Sequence, residues 1–258
     1  MRAAMAFLVP ATALLATLLL ASKSTSTAAT RRVARVRPAA PPSPCPTDME
    51  LISDKFCIDR FEASTVEIRD DGSSAPHSPF VPVTGLRVRA VSKKSVVPQA
   101  YISRNESEAA CKEASKRLCA DSEWVAACKG PAATKYPYGD ERKDGYCVDT
   151  HRVSPLDRLF LGLGAGRYLH EPMNDPRLNQ LPGTVAATGT FSRCTNGYHV
   201  YDMVGNVHEW TADPKGTFRG GYYLDTRING EGCDYRTVAH PATYHDYSTG
   251  FRCCADPR

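Results

Sequence analysis

Tyr201-Asp202-Met203-Val204-Gly205-Asn206-Val207-His208-Glu209-Trp210 is the stretch from which the rest of the chain can be read. It sets two carboxylates, Asp202 and Glu209, on either side of a glycine, and it ends on one of only two tryptophans. Gly205 marks a position where a missing Cβ is expected to matter. Trp210 and Trp124 are expected to be core anchors, because an indole buries a large apolar area while its N–H needs an acceptor. Hard oxygen ligands at this short spacing, on a backbone bent by Gly205, suit calcium. The competing arrangement is a hydrogen-bonded knot in which Asp202 caps a turn and Glu209 pairs with a base such as Arg219.

Outward from that stretch, the 258 residues are 42% hydrophobic and 23% charged. This composition excludes collagen-like, coiled-coil and wholly disordered chains. Residues 1–44 hold six Lys and Arg and no acid, whereas residues 45–258 hold 26 basic and 28 acidic side chains. The basic pI therefore belongs to the N-terminal arm, and no nucleic-acid-binding face is expected in the body. Residues 1–21 begin with Arg2 and continue as the apolar run AAMAFLVPATALLATLLLA. That order reads as a secretory signal, or as an anchor if it is retained. Residues 22–44 read as a basic, Pro-rich linker, and residues 45–258 as the folded domain. Membrane contact is expected only through residues 1–37, and only if the signal is retained.

All ten cysteines fall after residue 44, and none forms a CxxC pair. A disulfide framework in an oxidising compartment follows, so the protein is expected to be exported, periplasmic or extracellular. Proximity suggests Cys45–Cys57. Residues 45–60 alternate like a hairpin, and VPVTG (81–85) and VRAVS (88–92) read as short strands among loops. A helix is expected over 105–117, with Asn105 as its cap and Glu108 three residues on, and a second from Asp121. After Cys128 the chain is punctuated by Gly-Pro and Pro-Gly turns. Gly162 to Gly166 lacks the lysine and the βαβ context of a phosphate loop. The chain reads as α+β with little regular secondary structure.

Several segments occur in a telling order. They are Lys116-Arg117-Leu118-Cys119, Ser122-Glu123-Trp124, Tyr136-Pro137-Tyr138-Gly139-Asp140, the 201–210 stretch, Arg219-Gly220-Gly221 and Gly250-Phe251-Arg252. From about 45 to 256 the chain resembles the sulfatase-modifying factor (formylglycine-generating enzyme-like) family. The resemblance implies a disulfide-stapled variant of the C-type-lectin fold. It implies a calcium-like site at Asp202, Gly205, Val207 and Glu209, and the bridges Cys111–Cys253 and Cys128–Cys233. The pairing of Cys119, Cys147, Cys194 and Cys254 stays open; Cys147 with Cys194 and Cys119 with Cys254 is one solution.

The family's best-known activity converts a sulfatase Cys to formylglycine, with oxygen and copper held by two thiolates. At the position of the first thiolate this chain has Asp225, and Cys233 is the alternative for the second. A carboxylate is a hard donor where copper(I) prefers soft sulfur. Copper is therefore not expected, and calcium is the cofactor the sequence admits. The expected role is an exported binding or accessory domain for an unknown protein or polar ligand. Its groove would be floored by Tyr222, Tyr223 and Asp225 and edged by His240 and His245. Two enzyme alternatives remain: an oxidase acting through Cys233, or an oxygenase holding a metal through His240, His245 and Asp246.

Overall fold

The computed structural model describes residues 43–150, 152–238 and 240–258. The expected signal, and all of the linker but its last two residues, lie outside the described residues. Strand β1 (Met49–Ile52) turns through Ser53 and Asp54, both left-handed, into β2 (Phe56–Asp59). This is the hairpin expected over 45–60. β3 (Ala63–Ile68) pairs on one side with β4 (Ser74–Pro76) and on the other with β5 (Val88–Ser92). The strand expected at 81–85 is absent, because Leu86 N–H closes a turn on the Val83 carbonyl at 2.9 Å.

Helix α1 covers Arg104–Glu113, and its cap is Ser103 rather than Asn105. Glu106 N–H donates to Ser103 Oγ at 3.3 Å, and Ser103 N–H donates to Glu106 Oε2 at 2.8 Å. The reciprocal capping pattern thus sits two residues earlier than the sequence suggested. Asn105 N–H bonds the Ala242 carbonyl instead. The helix also stops before Arg117. Ser115 turns left-handed, and the basic residues beyond it take partners elsewhere. Lys116 pairs with the buried Asp59, and Arg117 enters β6 (Arg117–Leu118) and grips Glu123. α2 (Asp121–Lys129) ends at Gly130 with φ +66°. α3 (Pro155–Phe160), a 3-10 stretch over 161–168 and α4 (His170–Met173) follow in the turn-rich half.

The remaining strands are β7 (His208–Trp210), β8 (Phe218–Arg219), β9 (Arg236–Thr237), β10 (Thr249–Phe251) and β11 (Cys253–Ala255). Among the described residues the sheets run β1-β2-β11-β6, β10-β7-β8-β9 and β4-β3-β5. β10 and β7 are parallel, which sets Gly250-Phe251 beside Glu209-Trp210. Both tryptophans are fully buried. Trp124 Nε1–H donates to Glu209 Oε2 at 2.7 Å, and Trp210 Nε1–H donates to the Ile102 carbonyl at 2.9 Å.

Strands this short bury little surface, and five disulfides staple them. The pairs are Cys45–Cys57, Cys111–Cys253, Cys119–Cys254, Cys128–Cys233 and Cys147–Cys194. No cysteine is free. Neighbours on a strand point to opposite faces, so Cys253 reaches α1 while Cys254 reaches the segment between β6 and α2. The architecture is α+β, short of regular elements and disulfide-stapled, as the sequence led one to expect. Removing the Cys119–Cys254 staple by Cys119→Ser/Cys254→Ser should lower unfolding stability by about 2–5 kcal/mol in a urea melt. An unchanged midpoint would mean that this bridge does not constrain the native chain.

Candidate functional site

The 201–210 stretch folds into a buried charged knot. Gly205 has φ +84°, and a Cβ there would collide with the Val148 carbonyl oxygen. Its N–H donates to the Gly220 carbonyl at 2.9 Å, which brings the tandem glycines against the loop. At the centre lies Arg252, wholly buried. Its Nε and one terminal nitrogen donate to the two oxygens of Glu209, each at 2.6 Å. Its remaining donors reach the Asp59 carbonyl at 3.0 Å and the Tyr201 carbonyl at 2.8 Å. Such a fork on a carboxylate is a strong, orienting contact. The base paired with Glu209 is therefore Arg252, not Arg219. Arg219 instead grips Asp121 of α2, with Nε at 2.7 Å from the carboxylate.

Two further acids crowd this pair, and one of them the sequence did not flag. Glu62 is buried and accepts from Asn206 Nδ2 at 2.6 Å and from Val207 N–H at 3.3 Å. Asp202 is buried and accepts from Gly189 N–H at 2.6 Å. Burial, with Asp202 and Glu209 as neighbours, pushes the Glu62 carboxyl well above the usual range. Burial also raises Asp202, to about 6, against the pull of the Gly189 N–H and Arg252. The sequence did place Glu62 between two apolar residues, Phe61 and Ala63. That signal of an inward acid is weak without its partners.

This geometry bears on the calcium-like set Asp202, Gly205, Val207 and Glu209. Both oxygens of Glu209 are held by Arg252 and Trp124, and the positive charge the loop requires is already supplied by the guanidinium. Among the described residues no group of three or more His, Cys, Asp or Glu is arranged to hold a metal ion.

After the tandem glycines the chain makes a tight turn, with Tyr222 N–H on the Asp225 carbonyl at 2.9 Å. Asp225 Oδ1 accepts the N–H groups of Arg227 at 2.9 Å and Ile228 at 3.1 Å, and Oδ2 accepts Tyr235 Oη–H at 2.9 Å. This is the Asx-type capping that Asp performs in turns. Cys233 is bonded to Cys128. Neither position offers a thiolate, and the residues do not fit copper.

The groove expected along this turn does not form as a unit. Tyr223 is fully buried, and its hydroxyl donates to Asn179 Oδ1 at 3.0 Å. Tyr222 packs on His208 and Tyr247. His208 is buried among Phe218, Tyr222 and Tyr235, and burial lowers its imidazole to about 3, so the ring is neutral. His240 is sandwiched by Phe218 and Tyr244, with ring centroids 5.3 and 4.2 Å away. His245 bonds Asn174 at 2.7 Å and faces His170. Asp246 caps its own turn through Ser248 and accepts the Tyr244 hydroxyl. His240 and Asp246 both engage Tyr244 while His245 turns to Asn174 and His170, and among the described residues the three do not assemble as metal ligands.

Residues 46–257 match the Sulfatase-modifying factor enzyme 1-like domain. The formylglycine-generating enzyme of Mus musculus is 26% identical over 242 residues, which cover 81% of this chain and 60% of that protein. The inactive Cα-formylglycine-generating enzyme 2 of Bos taurus is 26% identical over 206 residues, covering 69% of this chain and 54% of that protein. The chain thus spans little more than half the length of these relatives. Among solved structures, a Major Tropism Determinant U1 variant superposes with a TM-score of 0.42 at 13% identity, over 84% of this chain and 54% of that one. That likeness carries no functional argument.

The acid-rich knot gives a pH prediction. A native Glu62 with a raised pKa keeps a proton that the unfolded chain releases near its ordinary value, around 4.3. Its stabilising contribution is present below that value and is lost as pH rises through the raised one. Glu62→Gln mimics the protonated form at every pH. The melting temperature of the variant minus that of the parent should therefore climb from pH 5 to pH 8. A difference that stays flat over this range would show that Glu62 is ionised in the native protein.

Proposed function

The chain belongs to the sulfatase-modifying factor family, and we propose that within it this protein is an exported binding or accessory domain without copper-oxidase chemistry. One observation carries the reading. Asp225, at the position that the family resemblance gives to the first copper thiolate, has its two oxygens engaged by a turn and a tyrosine, and Cys233 is oxidised with Cys128. A carboxylate cannot stand in for thiolate toward a soft ion, and a disulfide sulfur is no thiolate. The family itself includes relatives named as inactive, which supports such a role.

Five disulfides fit an oxidising compartment, and we take the destination to be periplasmic or extracellular, reached by way of a signal in residues 1–21. The partner is a protein or a polar ligand. Nothing in the near-neutral charge of residues 45–258 favours nucleic acid.

Three measurements test this reading. Thiol titration of the unreduced, denatured protein should find no free thiols. Incubation with copper, oxygen and a sulfatase-type Cys peptide should give no aldehyde. Excess calcium should raise the melting temperature where the 202–209 loop holds the ion, and no shift with calcium or chelator would count against that site. Aldehyde product together with a titratable Cys233 would falsify the central statement.

A further inference from the structure

Four of the eight large hydrophobic side chains that stand exposed among the described residues fall within nine positions. They are Leu161, Leu163, Tyr168 and Leu169, with 66%, 54%, 56% and 66% of their surface in water. Exposed apolar side chains ordinarily lie scattered, and a gathered set marks an interaction surface. The helix before them packs inward. Leu156 of α3 is buried, and Leu159 and Phe160 lie against the core cluster that holds Tyr223 and Tyr247. The 3-10 stretch that follows has no buried residue of its own. A Cβ on Gly162 or Gly164 would meet nothing within 4 Å, so the strap stands clear of the body.

The charges around the strap decide what covers it. Residues 155–171 hold two acids, Asp157 and Glu171, and two arginines, Arg158 and Arg167. One pair is closed within the molecule. Arg167 lies 2.8 Å from Asp157, and its guanidinium rests over the Tyr168 ring at 4.5 Å from the centroid. The other pair is open. Arg158 precedes the strap and Glu171 follows it in α4. Both are exposed, and neither charged group has a partner among the described residues. An apolar strip flanked by one unpaired cation and one unpaired anion is complementary to its own copy. A two-fold rotation sets leucine against leucine and carries Arg158 of one protomer to Glu171 of the partner subunit, twice over. An apolar centre within a polar rim is the common anatomy of a protein interface. A lipid surface fits less well. Segments that lie on membranes carry a cationic excess, and here the four charges cancel.

We propose that a second copy of this chain covers the strap, in an isologous interface centred on Leu161, Leu163 and Leu169 and rimmed by two Arg158–Glu171 ion pairs. This interface is independent of the reading of the chain as a binding domain. Aldehyde formation would remove that reading and leave the strap as it is.

The test is analytical sedimentation of the full, disulfide-intact chain in 0.15 M salt, a strength at which only close ion pairs persist. The parent should dimerise with a Kd of about 10 μM or tighter. Leu161→Ser/Leu169→Ser alters two exposed side chains. Its melting temperature, taken at a concentration where the parent is monomeric, should match the parent's. Its dimerisation should be weaker by about tenfold or more. Arg158→Glu alone and Glu171→Arg alone set like charges against each other at the rim, and each should weaken the dimer about threefold or more. Arg158→Glu/Glu171→Arg should restore the parent's affinity. Association through any other apolar part of the chain would not follow this exchange. A parent that stays monomeric at about 100 μM would overturn the proposal. So would a dimer untouched by the serine replacements, or a double charge exchange that stays as weak as the single ones. Strap-dependent binding of a monomeric parent to phosphatidylglycerol–phosphatidylcholine vesicles would assign the face to lipid and overturn it as well.

Discussion

The buried ion pair between Arg252 and Glu209 is the constraint on which the rest of the architecture depends. Arg252 follows β10, and Glu209 lies in β7 beside it in a parallel register. From that point the guanidinium reaches the β2 end at Asp59 and the Tyr201 carbonyl, while Glu209 receives the indole of α2. One side-chain pair thus ties two sheets, a helix and the 201–210 loop together. A buried pair of this kind contributes little net stability compared with apolar packing, but removing one partner leaves a stranded charge and costs about 3–5 kcal/mol. Here the cost is compounded, because among the described residues Arg252 is the cation that acts on Glu62 and Asp202 as well. Their raised proton affinity is the chain's answer to three acids gathered around one base.

What the sequence disclosed follows from how local each signal is. The hairpin at 45–60, the start of α2 and the buried role of both tryptophans rest on neighbours a few residues apart or on the nature of one side chain. The cap of α1 was missed by two residues because Ser103-Glu106 and Asn105-Glu108 offer the same spacing. Only the bond from Asn105 to the Ala242 carbonyl, a contact across 137 positions, separates them. The partner of Glu209 was misplaced for the same reason, since Arg219 and Arg252 are equally basic on paper and only sheet pairing tells which is near. Tyr223 looked like groove floor beside Tyr222, yet strand-like alternation sends one ring inward to Asn179 and leaves the other half-buried.

Asp225 shows how much of a turn one carboxylate can hold. The turn after the tandem glycines is closed by a carboxylate that accepts two backbone N–H groups and a phenol. The hydrogen-bond demand of a tight turn is met more fully by Asp than by a thiol, which is a weak acceptor. A residue unsuited to soft-metal binding is thus well suited to holding the loop, and the loop's shape alone does not reveal which task was selected.

The paired staples at Cys253 and Cys254 also constrain how the molecule can be made. Their partners, Cys111 and Cys119, precede them by 142 and 135 residues. As the chain is made, both earlier thiols must wait, reduced or wrongly paired, until the distant Cys-Cys dipeptide emerges. Two adjacent sulfurs then have to choose between two partners with no help from sequence proximity. Efficient maturation of such a chain calls for disulfide exchange, not merely an oxidant.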